Sequence, residues 1–149
     1  MEVLIDNQQT SLELDLTKFQ NKMELILREL GCDEQTRIST VIVDSEKMAE
    51  LNFTYRGKQG DTNVLAFSQV EAKQVSADPH LLGDVVICAQ RVIRDADELD
   101  YSREEMLLYL AIHGALHLVG YSHDSPLEAS EMESKVESVF QRLLSSTNQ

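Results

Sequence analysis

Three of the four histidines in the chain lie close together, at positions 113, 117 and 123. His113 and His117 are four residues apart, so on a helix their imidazoles share one face, one turn apart. Gly120 then allows the chain to leave the helix, and His123 follows three residues later. Three imidazole nitrogens around one ion leave a fourth position open for water, as in catalytic zinc sites. The spacing therefore predicts a hydrolytic metal site formed by His113, His117 and His123.

The residue after the first histidine decides which hydrolysis is favoured. The pattern H-x-x-x-H-x-x-G-x-x-H is the ligand skeleton of the metzincin proteases, in which Glu directly follows the first histidine and acts as general base. Here that position is Gly114. Peptide hydrolysis is therefore the weaker hypothesis. A metal ion can still lower the pKa of its water to about 7 and polarise a bound oxygen.

A single histidine in an apolar segment is usually a hydrogen-bonded core residue, and His113 follows the apolar segment LYLAI at 108–112. Three histidines at ligand spacing are not easily explained in this way. Imidazoles removed together from water need partners for their polar nitrogens, and a shared metal ion supplies them. The fourth histidine, His80, follows Pro79 in a polar segment and is expected at the surface.

The helix that carries the first two histidines has clear ends in the sequence. Ser102 and Glu105 form a capping box at its start, and Gly120 can end it. Ser125 with Pro126 opens the last helix. In chain order we predict a strand at 3–5, a helix at 16–30, a strand at 37–43, a short helix from 45 to about 51, strands at 63–67 and 83–88 with a loop at 68–82 between them, and helices at 89–99, 103–119 and 126–144.

This order, β-α-β-α-β-β-α-α-α, predicts one α+β domain over residues 1–149, with a small mixed sheet of about four strands and about five helices. Hydrophobic residues make up 42% of the chain, which is enough for a core. Cys32 and Cys88 are too few and too far apart for a disulfide framework or a cysteine metal site, so both are expected as reduced thiols.

The chain is acidic, with 13 Lys+Arg against 26 Asp+Glu and a formal net charge of -13. A general basic footprint for nucleic acid is missing, so DNA is not expected as a partner and RNA would require a local basic patch. Residues 1–10 have neither the basic nor the apolar region of a signal peptide. No apolar stretch is long enough to span a bilayer. We therefore expect a cytoplasmic protein with no membrane partner.

Four segments together form a specific pattern: LNFTYRGK at 51–58, TNVLAFS at 62–68, LGDVVIC at 82–88 and the histidine block at 113–123. In order and spacing, from about residue 40 to 135, the chain resembles the YbeY family of bacterial endoribonucleases, which act in ribosomal RNA maturation. The histidine block alone is fairly specific for that family, and the four segments together are very specific.

The resemblance implies a zincin-like α+β fold with zinc held by the three histidines, although such sites also accept other divalent transition metals. It implies cleavage of single-stranded RNA in maturation of the 3′ end of small-subunit (16S) ribosomal RNA and in ribosome quality control, with the ribosome and its proteins as partners. It also implies catalytic roles for His113 and Arg56. The Arg56 guanidinium would stabilise charge growing on the phosphate. Lys58, Arg91 and Arg94 could extend a basic path for RNA.

The chain departs from the usual family pattern at four positions. They are Asn63 in place of Asp, Ala66 in place of Ser, Ser68 in place of Pro, and Ser122 in place of Asp. A carboxylate before the third histidine could orient an imidazole, and Asp124 could substitute for it. Two alternatives remain open: a metalloprotease-like peptide hydrolase, and a non-catalytic ribosome-assembly factor with a structural metal.

Overall fold

The helices and strands of the computed structural model follow the predicted order. The structure describes residues 1–68 and 80–147. Within these ranges the elements are β1 (Glu2–Asn7), α1 (Leu16–Glu29), β2 (Arg37–Val43), α2 (Ser45–Arg56), β3 (Val64–Ser68), β4 (Leu81–Cys88), α3 (Ala89–Leu99), α4 (Arg103–Leu118) and α5 (Pro126–Thr147). The α+β class, with five helices and a four-stranded sheet, is confirmed.

The sheet has the strand order β1-β2-β4-β3, so β1 and β3 are its edges. β1, β2 and β4 run parallel, whereas β3 is antiparallel to β4. Strands β2 and β4 are rich in β-branched residues and are largely buried, as expected for parallel strands covered on both faces. The prediction of a mixed sheet is therefore correct.

The two faces of the sheet are covered by different helices. The larger core lies on the face of α1, α4 and α5, where fully buried residues such as Met23, Ile112 and Phe140 pack together. A smaller cluster under α2 contains Met48 and the strand residues Val43, Leu65 and Val86. Ten of the sixteen residues of α4 are buried, which explains its nearly continuous apolar sequence.

Side-chain caps fix the helix starts as the sequence predicts. At α1, the Asp15 side chain accepts a hydrogen bond from the Lys18 N–H at 3.0 Å. At α4 both bonds of the capping box are present: the Glu105 N–H donates to Ser102 Oγ at 3.0 Å and the Ser102 N–H donates to Glu105 Oε1 at 2.8 Å. The first turn of α4, and hence its register, is thereby defined.

Several boundaries differ from the prediction. Helix α2 continues past residue 51 to Arg56, because Gly57 adopts a left-handed conformation (φ 67°) and its N–H closes the last turn on the Phe53 carbonyl. Arg56 was predicted in a loop and instead ends a helix. The predicted loop at 68–82 is shorter at both ends, since Ser68 belongs to β3 and β4 begins at Leu81; residues 69–79 of that loop lie outside the described residues.

Both cysteines are free thiols, as predicted, with Cys88 buried and Cys32 partly buried. His80 is exposed, also as predicted. In the part of the chain that the structure describes, no helix has both the length and the apolar character that crossing a membrane requires.

Candidate metal centre

The three predicted histidines meet at the C-terminal end of α4. The ring centroids of His113, His117 and His123 form a nearly equilateral triangle, with separations of 5.0, 5.0 and 5.1 Å. One nitrogen from each ring can be chosen so that all three lie within 4.8 Å of one another. Two rings come from successive turns of one helix, as their spacing predicts, and the third comes from the loop after it.

The turn after α4 brings His123 back towards the helix. The Gly120 N–H donates to the His117 carbonyl at 3.2 Å, and the Tyr121 N–H donates to the Leu116 carbonyl at 3.0 Å. This pair of bonds closes the helix end and requires a left-handed residue, which Gly120 supplies with φ 109°. The glycine therefore reverses the chain so that the third histidine can face the first two.

The same turn orients one of the imidazoles. His117 Nδ1 lies 3.1 Å from the Tyr121 carbonyl oxygen. A carbonyl oxygen only accepts, so we assign the proton to Nδ1, which donates to Tyr121. The lone pair of the neutral ring is then on Nε2, the nitrogen available as a ligand. A backbone carbonyl in this position is the usual partner that fixes the tautomer of a metal-binding histidine.

Burial determines the charge of the first histidine. His113 and His117 are partly buried, whereas His123 is exposed. Desolvation, together with the smaller effects of the charges of His117 and His123, lowers the pKa of His113 to about 4. His113 is therefore neutral at pH 7, the protonation state that a metal ligand needs.

The donor set fits a divalent transition metal. In tetrahedral zinc sites the Zn–N distance is about 2.0–2.1 Å, which places the nitrogens about 3.3 Å apart. The three candidate nitrogens, all within 4.8 Å of one another, need only small side-chain rotations to reach that geometry. In the described ranges this group of possible ligands consists of imidazoles alone. Nitrogen-only sites of this kind suit zinc and also nickel, cobalt or copper.

Gly114 faces the sheet, not the site. A Cβ at this position would lie 2.6 Å from Val85 Cγ1 and 3.2 Å from Val64 Cγ2. The glycine therefore permits α4 to pack directly against β3 and β4. The glutamate that zincin proteases carry at this position would have no room here, and the absence of that base has a packing reason.

Arg56 lies on α2, the helix that covers the face of the sheet opposite α4. It ends α2, and its Nη2 donates to the Ala66 carbonyl oxygen on edge strand β3 at 2.8 Å. The guanidinium carbon also lies 5.2 Å from the centroid of the Phe67 ring. Val64 of the same strand packs near Gly114 of α4. β3 thus connects the arginine to the histidine-bearing helix, and Arg56 lies along its edge.

A model of the family described as Endoribonuclease YbeY matches residues 4–144 of the chain. The chain belongs to the YbeY family. It is 36% identical to the endoribonuclease YbeY of Syntrophus aciditrophicus, over 94% of this chain and 88% of that protein. It is also 36% identical to the endoribonuclease YbeY of Bacillus velezensis, over 91% of this chain and 92% of that protein. The solution structure of TM1509 from Thermotoga maritima is similar, with a TM-score of 0.57 and 27% identity over 97% and 93% of the two chains.

Ser122 stands directly before the third histidine, where the YbeY family usually has Asp. Its side chain is hydrogen-bonded to a carboxylate on another element. Ser122 Oγ donates to Glu128 Oε2 at the start of α5. Ser125 Oγ donates to the other carboxylate oxygen at 3.3 Å and accepts from the Glu128 N–H at 3.1 Å. Glu128 is exposed, and it also binds the loop that carries His123.

Sequence reasoning missed Glu128 as a residue of the site. Ser125 and Pro126 indicated only a helix start near this residue. That the carboxylate turns towards Ser122 depends on how the loop folds, which local spacing does not reveal.

A second departure from the YbeY pattern, Asn63, also has a carboxylate neighbour. The Asn63 side-chain Nδ2 donates to Asp95 Oδ2 at 3.5 Å, and the Asn63 backbone carbonyl accepts a hydrogen bond from the Cys88 N–H at 2.9 Å. The Asp95 side chain is only 14% exposed. An amide at position 63 can therefore donate to this carboxylate, whereas an aspartate could not.

The predicted basic path is neutralised in part. Arg91 lies 3.1 Å from Asp61, with both side chains mostly buried, and Arg94 lies 3.9 Å from both Asp95 and Glu98. Arg91 therefore serves an ion pair within the fold. Arg94, with 54% of its side chain exposed, and Lys58, exposed two residues after Arg56, keep their predicted role in RNA binding as a prediction.

Proposed function

We propose that this YbeY-family chain is a metal-dependent endoribonuclease that cleaves single-stranded RNA. We further propose that it acts in maturation of the 3′ end of small-subunit ribosomal RNA and in ribosome quality control. The observation that carries the proposal is the triangle of His113, His117 and His123 at the end of α4. Family membership supports the choice of RNA, because the relatives are named endoribonucleases.

The chain's own groups prepare this centre before RNA arrives. His113, His117 and His123 would hold one divalent ion, most simply zinc. Burial keeps His113 neutral, and the Tyr121 carbonyl holds His117 in the tautomer that presents Nε2. Such an ion, when bound, supplies Lewis acidity, which lowers the pKa of coordinated water and polarises phosphoryl oxygens. The exposed His123 leaves the centre open to a long substrate.

Arg56 is the second part of the proposed machinery. Its hydrogen bond to Ala66 and its contact with the Phe67 ring restrict an otherwise flexible side chain. A planar guanidinium held in this way can bind a phosphate through two parallel hydrogen bonds and stabilise negative charge growing on it. Arg56 therefore suits the phosphate-binding role, and a lysine at this position would not reproduce it.

Two observations weigh against the alternative functions. A protease would need a base at position 114, and the contact with Val85 leaves no space for one. In an assembly factor with a structural metal, the ion would hold the fold together. Here the apolar core around Met23, Ile112 and Phe140 packs without any contribution from the exposed His123.

The cellular setting is also part of the proposal. Ribosomal RNA processing takes place on assembling ribosomes, so we propose the ribosome and its associated proteins as partners and the cytoplasm as the location. An acidic chain with net charge -13 is repelled by RNA, which is a polyanion. A protein partner on the ribosome would bind the chain and bring it close to the RNA.

The decisive experiment compares cleavage by the zinc-loaded protein and its His117→Ala variant. The substrate is a single-stranded RNA that carries the 3′ end of small-subunit ribosomal RNA, with the same RNA in a duplex as competitor. His80→Ala is the matched control, because His80 is exposed and lies outside the cluster. We expect cleavage by the wild type and by His80→Ala, and none by His117→Ala.

Equal cleavage by all three proteins would contradict the proposal, because the chemistry would not depend on the histidine centre. Cleavage of casein but not of RNA would favour the peptide hydrolase. Loss of the circular dichroism spectrum on chelation, without RNA cleavage at any metal loading, would favour the assembly factor.

A further inference from the structure

A solvent-exposed aromatic ring lies beside Arg56. Tyr55 is 61% exposed, although a residue of this size and apolarity is usually more buried. Its ring centroid lies 5.2 Å from that of Phe67, with the planes at 60°. The Arg56 guanidinium contacts the same Phe67 ring, also at 5.2 Å. Phe67 thus holds a tyrosine and an arginine side by side at the edge of the sheet.

The segment that carries this ring has a positive charge in an otherwise acidic chain. Residues 51–60 contain Arg56 and Lys58 and no Asp or Glu, whereas the whole chain has a net charge of -13. Both cations are exposed. The C-terminal end of α2, with Gly57 after it, therefore presents an aromatic ring and two cations together. That composition complements the bases and phosphates of a nucleic acid strand.

From this arrangement we infer that Tyr55 is a base-stacking residue, which holds an unpaired base of the RNA next to the phosphate bound by Arg56. The inference rests on the proposed function. Stacking requires a ring accessible to solvent and held in place, and Tyr55 has both properties through its exposure and its contact with Phe67. Only an unpaired base can leave its neighbours to stack on a side chain, so this contact would favour single strands over duplexes.

The chain offers a matched control on the same helix. Phe53 is 62% exposed, almost the same as Tyr55, and lies two residues earlier. Residues two apart on a helix point in different directions, so Phe53 does not share the side that carries Tyr55. Substitution of Phe53 removes a similar amount of exposed aromatic surface without changing the proposed stacking position.

The test measures the Kd of the full-length protein for a fluorescein-labelled single-stranded RNA by anisotropy, in the presence of a metal chelator so that the RNA is not cleaved, and a gel verifies that it stays intact. The proteins are the wild type, Tyr55→Ala, Tyr55→Phe and Phe53→Ala. A second strand of the same length is abasic throughout. We expect Tyr55→Ala to weaken binding of the intact strand roughly 5- to 150-fold, the range for loss of one stacking ring. Tyr55→Phe and Phe53→Ala should bind like the wild type.

The abasic strand separates stacking from a general effect on binding. Tyr55→Ala should bind it as the wild type does, because no base is present to stack. If the wild type binds RNA but Tyr55→Ala weakens both strands equally, or Phe53→Ala is as weak as Tyr55→Ala, the stacking role is wrong and the proposed function stands. If the wild type binds neither strand, the stacking inference and the proposed function both fail.

Discussion

Gly114 on α4 and Val85 on β4 are packed so closely that a Cβ on the glycine would lie 2.6 Å from Cγ1 of the valine. Adjacent to Gly114 is His113, and one turn later is His117. The close contact between α4 and the sheet therefore fixes how near the histidine centre lies to the sheet. It also explains why a position that carries a catalytic base in zincin proteases is a glycine in this chain.

We expect Gly114→Ala to destabilise the protein, because overpacking a core usually costs about 1–3 kcal/mol. The gain in helix propensity from glycine to alanine, about 1 kcal/mol, offsets part of this cost, so the net destabilisation should be up to about 2 kcal/mol. Urea denaturation followed by circular dichroism measures the change. Val85→Ala alone should also be destabilising, because it leaves a cavity. The double variant should be more stable than the sum of the two single effects, and simple additivity would argue against the contact.

The hydrogen bond from Ser122 to Glu128 connects the loop of His123 to α5. We expect Glu128→Gln to lower zinc affinity about 10-fold, the low end of the range for groups that support metal ligands. Competition with a colorimetric zinc chelator measures the affinity without reference to activity. Ser122→Ala should have a similar effect, and the two changes should not add, because Glu128→Gln weakens the same charge-assisted bond that Ser122→Ala removes.

Glu131→Gln serves as the control for this pair, since Glu131 is exposed on the same helix and outside this hydrogen-bond group. A loss of affinity in Glu131→Gln as large as in Glu128→Gln would indicate a general effect of charge. In that case the bond to Ser122 would have no special role.

Asn63 beside Asp95 leads to a prediction about stability. Asn63→Asp would replace a donor 3.5 Å from Asp95 Oδ2 with a second carboxylate. Loss of the hydrogen bond and the new repulsion should cost about 1–3 kcal/mol of unfolding free energy. Asp95→Asn in the same chain should restore most of it, because an amide can then donate to the new carboxylate. Urea midpoints of the single and double variants test this, and a neutral Asn63→Asp would contradict the role given to Asp95.

Arg56 allows a test that separates charge from geometry. Arg56→Lys keeps the positive charge but loses the planar fork that contacts both Ala66 and Phe67. We expect kcat/KM for the single-stranded RNA to fall by about 10²-fold, the scale for removal of one donor to a transition state. Lys58→Ala should reduce binding only slightly. Equal and small effects of the two substitutions would assign Arg56 no more than a general electrostatic role.

The sequence predicted this centre better than it predicted the surroundings. The histidine spacing of four residues and the glycine turn are local features, so the triangle of rings could be anticipated from the helix period alone. The order of all nine elements in the described ranges followed from periodicity and caps in the same way. Local patterns were sufficient wherever a contact joins residues close in sequence.

Contacts between distant residues were not predictable from such patterns. Arg91 was a candidate for RNA binding until the fold placed it 3.1 Å from Asp61, thirty positions earlier. Arg56 was expected in a loop. In sequence, Gly57 resembles any loop glycine, and only the structure shows that it caps the end of α2 in a left-handed conformation. The bond between Ser122 and Glu128 depends on the path of the loop between two helices. Each of these features forms only in the folded chain, so the local sequence around the residue does not reveal it.

Removal of the metal distinguishes a reactive centre from a structural one. The apolar core forms without the histidines, so chelation should leave the far-ultraviolet circular dichroism spectrum unchanged. Zinc that binds only the folded state should still raise the melting temperature, since its stabilisation grows as RT ln(1 + [zinc]/Kd), about 2.7 kcal/mol at a hundredfold excess over Kd. The wild type and His80→Ala should show this increase, and His117→Ala should not. Unfolding of the wild type on chelation would show that the metal is structural, and an equal increase in His117→Ala would locate zinc binding elsewhere.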